Sequence, residues 1–177
     1  FDPQIAQYSP YLGASYSVIE ALARMSALGA DYQTCRLSNQ EYFERLGDDP
    51  RKWGKPMQAL LGLMEAQKAF ETPSIGGKDS MSGTFNDISV PPTLITFAVT
   101  TADQKDITSA EFKQGGHRIY YLKHHMHEDF TPNYEECKAN FAKLHALIQT
   151  GAIQAACTVK SGGLGEALAK MSFGNHI

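Results

Sequence analysis

The stretch Pro73-Ser-Ile-Gly-Gly-Lys-Asp-Ser-Met-Ser-Gly-Thr-Phe85 constrains this chain more than any other. Two adjacent glycines, Gly76 and Gly77, follow a short apolar run, and Lys78, Asp79, Ser80, Ser82 and Gly83 come after them. Glycine lets the backbone take positive φ and approach a ligand closely, because no Cβ intervenes. Successive N–H groups in such a turn can form a concave anion site. Lys78 adds a point charge, Asp79 a carboxylate, and Ser80 and Ser82 add hydroxyls. This chemistry suits a phosphate or a phosphorylated sugar. The spacing is not that of a Walker A loop, which needs Gly-x-x-x-x-Gly-Lys-Ser/Thr. The competing reading is an ordinary polar turn, since glycine, serine and aspartate fill turns for local reasons.

Composition narrows the partners. A chain of 177 residues, 42% of them hydrophobic, can bury a sizeable core in one medium domain or two small ones. Its 16 basic and 19 acidic residues give a net charge of -3, which argues against nucleic acid as a partner and leaves room for a local anion pocket. Cys35, Cys137 and Cys157 are odd in number and form no C-x-x-C pair, so they read as reduced thiols in a cytosolic protein. No apolar run is long enough to span a bilayer, and no signal-like start is present. The opening at Phe1 and the close just past a helix suggest a portion of a longer polypeptide.

Along the chain, Tyr8-Ser-Pro-Tyr-Leu-Gly13 reads as a turn-rich lead-in, followed by a helix from about Ala14 to Leu28 with Gly29 as its C-terminal cap. Val18, Ile19, Leu22 and Met25 share one face of it. Glu20 and Arg24 form an i,i+4 pair, or Glu20 points at a ligand. Asp31 to Ser38 reads as a strand, which leaves Asn39 and Glu41 just beyond its end, where α/β proteins often place ligand-facing residues. They can equally start a short surface helix. Asp49 and Pro50 fit the cap and first position of a helix, and Met57, Leu60, Leu61 and Met64 predict a core stripe over about 56–70, with Trp53 packed near its start. Pro92 to Thr101 is the strongest strand signal, apolar or β-branched throughout, as if buried on both faces. The polar run 102–107 breaks the pattern and predicts a domain boundary, dividing the chain into 1–101 and 102–177.

The second part starts with 108–113, read as one helical turn. His117 to Lys123 then predicts a strand, and His124-His-Met-His127 follows with Glu128 and Asp129. Imidazoles and carboxylates can bind zinc or nickel, but nothing in the spacing fixes a tetrahedral site, and a solvated loop is the favoured reading. Asn133 to Thr150 predicts an amphipathic helix with Tyr134, Cys137, Phe141, Leu144 and Ile148 inward and Gly151 ending it. Residues 152–159 read as a strand. Lys160-Ser-Gly-Gly163 then turns into a helix over 164–172, with Leu164, Ala167, Leu168 and Met171 inward. A glycine pair at a strand-to-helix turn is a possible anion site, which puts Gly163 among the candidates.

The segments Ser9-Pro-Tyr-Leu-Gly-Ala14, Gln40-Glu-Tyr-Phe43, Lys52-Trp-Gly-Lys-Pro56, Ile75-Gly-Gly-Lys-Asp-Ser-Met-Ser-Gly83, Val90-Pro-Pro-Thr-Leu-Ile-Thr-Phe97 and Ser161-Gly-Gly-Leu-Gly-Glu-Ala167 occur in order over nearly the whole chain. Together they resemble the second half of the phosphoribosylformylglycinamidine synthase family, glutamine-dependent ligases of purine biosynthesis. The resemblance implies an α/β (α+β), PurM-like fold, that of aminoimidazole ribonucleotide synthetase. Residues 1–101 would be the latter part of an N-terminal domain, and 102–177 would open a C-terminal domain. It implies a cytoplasmic enzyme that uses ATP and Mg²⁺ to activate the formyl amide of formylglycinamide ribonucleotide. Ammonia from a glutaminase elsewhere in the same polypeptide would then displace phosphate.

By the same resemblance, Gly76, Gly77, Lys78, Asp79, Ser80 and Ser82 would reach phosphate of substrate or nucleotide. Lys78 stands where short family members carry a metal-binding asparagine, and Asn39 roughly matches an ATP-contacting aspartate. Glu20 matches a magnesium-binding carboxylate of a second nucleotide site in large members. There the partner one turn on is an asparagine and the residue before the glycine pair an aspartate; here they are Arg24 and Ser161, which should weaken magnesium binding. The isolated stretch would be inactive. The alternative is a degenerate repeat that only scaffolds a catalytic half. A thiamine-phosphate or selenophosphate kinase relative is disfavoured by the Lys52–Pro56 and Pro-Pro-Thr-Leu segments.

Overall fold

The computed structural model describes residues 1–177. Two helices open the chain, α1 (Pro3–Tyr8) and α2 (Pro10–Ala27). Each starts on a capping side chain followed by proline. Asp2 Oδ1 accepts from the Gln4 amide at 2.9 Å, and Ser9 Oγ accepts from the Leu12 amide at 3.2 Å. Proline costs nothing at a first helical position, where its missing N–H would be unpaired anyway. The expected turn over Tyr8–Gly13 is therefore largely helix. The predicted stop holds: Gly29 takes φ +98, and a Cβ there would strike the Asp106 carbonyl oxygen.

The Asp31 carboxylate caps a short 3-10 turn over Tyr32–Thr34, accepting from the Gln33 amide at 3.0 Å. Strand β1 consequently begins only at Arg36 and runs to Tyr42. This corrects the sequence expectation, because Asn39 and Glu41 lie inside the strand rather than past its end. Helix α3 (Pro50–Phe70) starts where Asp49 and Pro50 indicated, with Asp49 Oδ1 accepting from the Arg51 amide at 2.9 Å. Its core face is the second correction. Pro56, Ala59, Gly62, Leu63, Ala66 and Phe70 are buried, whereas Trp53, Met57, Leu60, Leu61 and Met64 are exposed. Small residues decide this: Gly62 lies against the Tyr11 carbonyl of α2, and the Ser15 hydroxyl bonds the Gly62 carbonyl at 3.3 Å. Trp53 nonetheless stays near the helix start, its indole N–H donating to the Gly47 carbonyl at 2.9 Å.

Strand β2 (Ser74–Ser80) runs parallel to β1, and β5 (Thr93–Val99) runs antiparallel along the other side of β1. The sheet order is therefore β2-β1-β5, with a small hairpin, β3 (Thr84–Phe85) and β4 (Ile88–Ser89), between β2 and β5. Strand side chains alternate between faces. Leu37, Asn39 and Glu41 of β1 point to the buried face, together with Leu94 and Thr96 of β5. The Ser17 hydroxyl of α2 accepts from the Thr96 amide at 3.0 Å, which places the helices on that face. The opposite face carries Ser38, Gln40 and Tyr42, all half-buried, and exposed Phe97 and Val99. The expectation that β5 is buried on both faces fails, because β5 is an edge strand whose outer face leaves Phe97 and Val99 uncovered.

Helix α4 (Tyr134–Gln149) follows the sequence reading, capped by Asn133, and lays Cys137, Phe141 and Ile148 inward. Cys137 and Phe141 join Leu22, Leu37, Phe43, Leu63, Phe70 and Leu94 in one core. Phe70 stacks on Phe141 at 5.9 Å and meets Tyr32 and Tyr134 edge-on. Helix α5 (Gly163–Phe173) also follows its prediction, with Ala167 and Met171 buried, although Leu164 is exposed. The strands expected at 117–123 and 152–159 do not form. The first segment is exposed and unpaired, and the second makes a single parallel bridge, Ser109 to Ala155. Residues 108–113 make no helical turn. No helix is long and apolar enough to cross a membrane.

Candidate functional site

The glycine stretch is a strand, not a turn. Gly76 and Gly77 pair with Ser38 and Asn39 of β1, and neither has positive φ. The expected nest of successive amides is therefore not built by this stretch. Gly77 is required for a different reason: a Cβ there would come within 2.5 Å of the Asn39 carbonyl oxygen, so only glycine lets β2 approach β1 this closely. One edge of β2 is spent on β1, while the strand itself stays exposed along nearly its whole length.

Alternation then divides the candidate residues. Lys78 and Ser80 share the open face with Gln40 and Tyr42, their register partners on β1. The Lys78 ammonium stands over the Tyr42 ring, 5.6 Å from its centroid, and has no carboxylate partner. The Tyr42 hydroxyl donates to Gln40 Oε1 at 3.0 Å, and the Ser80 and Ser82 hydroxyls are 3.3 Å apart. This is a donor-rich surface with one free cation, suited to an anionic oxygen cluster. Gln40 and Tyr42 were missed as site residues by sequence reasoning. Their signal was the two-residue period of a strand, hidden because the strand was placed too early.

Asp79 is on the other side, opposite Glu41 in the register. Asn39 is buried, and its Nδ2 donates to the Ser74 hydroxyl at 2.5 Å. Glu41 is 1% exposed, and neither of its carboxylate oxygens has a donor. Burial, with Asp79 adding repulsion, pushes its carboxyl up to about 7. By contrast Glu44, one turn of chain later, accepts from Lys55 and Lys52, and those hydrogen bonds hold its carboxyl below the usual range.

Glu20 occupies a separate corner. Its Oε1 accepts from Arg24 at 2.7 Å and Lys160 at 2.6 Å, and the Phe1 amino group meets its other oxygen. The i,i+4 pair read from the sequence is present. Arg24 and Lys160 both hold Oε1 of this carboxylate, and no set of three metal-binding side chains forms there or elsewhere. These residues do not fit magnesium at Glu20. Gly163 opens α5 with φ +71, its amide bonded to the Lys160 carbonyl at 2.8 Å. The Glu166 carboxylate folds back on Gly162 and pairs with Lys170 at 2.5 Å, so the helix start already has an anion. A cavity of about 180 Å³ lies beside it, lined by Cys157, Lys160, Lys170 and Met171 among others. Of the histidine tract, His125 bonds Glu136 at 2.7 Å, and His124 sits edge-on to Tyr16 with burial lowering its pKa. Burial raises all three thiols, Cys35 to about 11 and Cys137 to about 12.

A mixed sheet with helices on one face and a glycine-containing edge strand makes this an α/β unit. Thermotoga maritima PurL complexed with ATP superposes with a TM-score of 0.65 at 13% identity, over 96% of this chain and 27% of that one. Phosphoribosylformylglycinamidine synthase II from the same organism gives 0.59 at 16% identity, over 82% and 22%. At these identities the likeness establishes the fold. In sequence, the chain is a relative of phosphoribosylformylglycinamidine synthase subunit PurL. It is 24% identical to that of Methanocaldococcus jannaschii over 96% of this chain, and 33% identical to that of Lacticaseibacillus paracasei over 68%. It spans 26% and 16% of those two proteins. No protein-family model matches it.

Proposed function

We propose that this chain is part of a cytoplasmic, ATP-dependent carbon–nitrogen ligase of purine biosynthesis. In this reading, residues 1–101 continue one α/β domain and 102–177 begin the next. The whole polypeptide, with a glutaminase domain or subunit as ammonia source, converts formylglycinamide ribonucleotide to the amidine. ATP phosphorylates the formyl amide oxygen, and ammonia then displaces that phosphate. The role of this chain is to present Lys78, Ser80 and Ser82, with Gln40 and Tyr42 beside them, to phosphate of substrate or nucleotide. The main chain of Gly76 and Gly77 lets that phosphate approach. Asp79, Asn39 and Gly163 stand outside this cluster. The observation that carries the reading is the Lys78 ammonium, exposed, free of any carboxylate and held over an aromatic ring. The complexes of Thermotoga maritima PurL with ATP, AMPPCP and ADP, and its PurLQS assembly, support nucleotide and further subunits as partners.

Phosphoryl transfer depends on positioning and on charge neutralisation more than on covalent help. Magnesium would supply part of that neutralisation, and Glu20 is not assigned to it. Lys78→Ala in the full polypeptide should lower kcat/KM about tenfold or more, the scale of losing one charge contact to the transition state. Lys78→Arg should restore part of it. Unchanged steady-state kinetics in Lys78→Ala would remove this strand from the active site. The scaffold reading is favoured only at the Glu20 corner, where Arg24 and Lys160 join α2 to the approach to α5 as a structural tie.

A further inference from the structure

Six buried side-chain atoms lack a hydrogen-bond partner, and three of them are Asn39 Oδ1 and the two Glu41 oxygens. These occupy consecutive inward positions of the central strand, two residues apart on one face. All three are acceptors, and one of the two Asn39 amide hydrogens is committed to Ser74. Buried polar groups left without partners are expensive, so this cluster is short of a donor. No nearby cation supplies it. On β2 the charged group opposite Glu41 is Asp79, and on β5 the opposite residue is Leu94. The covering helices turn Ala14, Val18 and Leu63 into the core. Their charged groups pair elsewhere or lie in solvent: Glu20 pairs with Arg24, Lys52 and Lys55 with Glu44, Glu65 with Tyr11, and Arg51 and Lys68 are exposed.

We propose that Glu41 is a neutral carboxylic acid whose proton is the missing donor, completing a buried relay Glu41–Asn39–Ser74 that holds β2 against β1 and makes the seating of the Lys78 strand sensitive to pH. One proton supplies a donor to the Asn39 carbonyl oxygen and neutralises the Glu41 carboxyl. It also removes the repulsion from Asp79. Glu41 is thus a positioning residue: it acts on Lys78 and Ser80 through the strand that carries them.

The sign follows from linkage. The folded form holds its proton more tightly than an exposed glutamate does, near pH 4.3. The stabilising contribution is therefore complete below that pH and is lost as pH rises towards 7, the value burial gives the group. Above pH 7 both forms are ionised and the dependence ends. Glu41→Gln keeps the shape, the donor and the neutral charge at every pH. The test is amide hydrogen exchange of β2 in the full polypeptide, with rates corrected for intrinsic pH dependence. In the wild type, protection of 74–80 should fall about tenfold per pH unit between about pH 5 and 7 and then level off. In Glu41→Gln it should stay flat and exceed the wild type at pH 8. Infrared difference spectra at pH 6 should show a carboxylic-acid carbonyl band that the substitution removes. Parallel exchange profiles in the two proteins, or no such band, would overturn the assignment.

Discussion

Residues 36–99 and residues 117–123 contain the same kind of strand-forming sequence and meet opposite fates. All of Thr93–Val99 is β-branched, aromatic or aliphatic, and His117–Lys123 holds such a run in Ile119, Tyr120, Tyr121 and Leu122. The first becomes β5 because β1 offers a complete antiparallel register from Arg36 to Tyr42, and α2 covers the inner face. The second lies exposed, with Ile119, Tyr120, Tyr121 and Leu122 outward, because no strand of this chain runs beside it. Side-chain preference reports a capacity for pairing. A strand is stable only when a neighbour accepts its amides and another layer covers its apolar face.

The largest expected effect lies at the centre of the region that does assemble. Phe70 is 2% exposed and touches three aromatic partners, from the segment before β1 and from α4. Phe70→Ala should cost about 3–5 kcal/mol, the range for an aromatic truncated in a core that cannot collapse around the gap. Chemical denaturation would measure it. A loss under about 1 kcal/mol would mean that α3 and α4 do not share a core, and the two halves of the chain would have to be treated as separately packed.

Gly62 sharpens the same contrast through a change of sign. In an exposed helix, glycine to alanine is stabilising by roughly 1 kcal/mol. Here the new methyl would meet the Tyr11 carbonyl, so Gly62→Ala should instead destabilise by about 1–3 kcal/mol through overpacking. A raised melting temperature would show that α2 and α3 are further apart than described.

The helices were legible because their ends are written in single residues: Asp49 with Pro50, Asn133, Gly29 and Gly151. What was illegible had two physical causes. Helix α3 is apolar on two sides, and hydrophobicity favoured Met57, Leu60, Leu61 and Met64. The deciding signal was size, because Ala59, Gly62 and Ala66 permit the close approach to α2 that larger residues prevent. At Gly76–Gly77 the composition pointed to a turn, whereas the requirement at Gly77 came from the Asn39 carbonyl on a neighbouring strand. That is information no local window contains. The same displacement moved Asn39 from the candidate site into the interior and brought Gln40 and Tyr42 to Lys78. The resemblance to the synthase family pointed to the fold that the solved structures share, but it did not specify which face of the strand each residue occupies.

The smallest expected effect tests the unpaired region directly. Tyr120 is 72% exposed and makes no hydrogen bond through its hydroxyl or main chain. Tyr120→Ser removes a large aromatic from a strand-like run, and strand preference alone would put the loss near 1 kcal/mol. With no sheet to weaken, the change should stay within about 0.5 kcal/mol in this chain, as for an ordinary surface position. The amides of 117–123 should likewise exchange fast, since exposed main chain without a ladder has little to open. The comparison becomes sharper in the full polypeptide. If a strand from elsewhere pairs with this segment there, the same substitution should cost more than in the 177 residues alone, and exchange should slow by orders of magnitude. Equal and negligible effects in both would mean that Tyr120 and its neighbours remain a surface strip, and that their strand-like composition serves something other than a sheet.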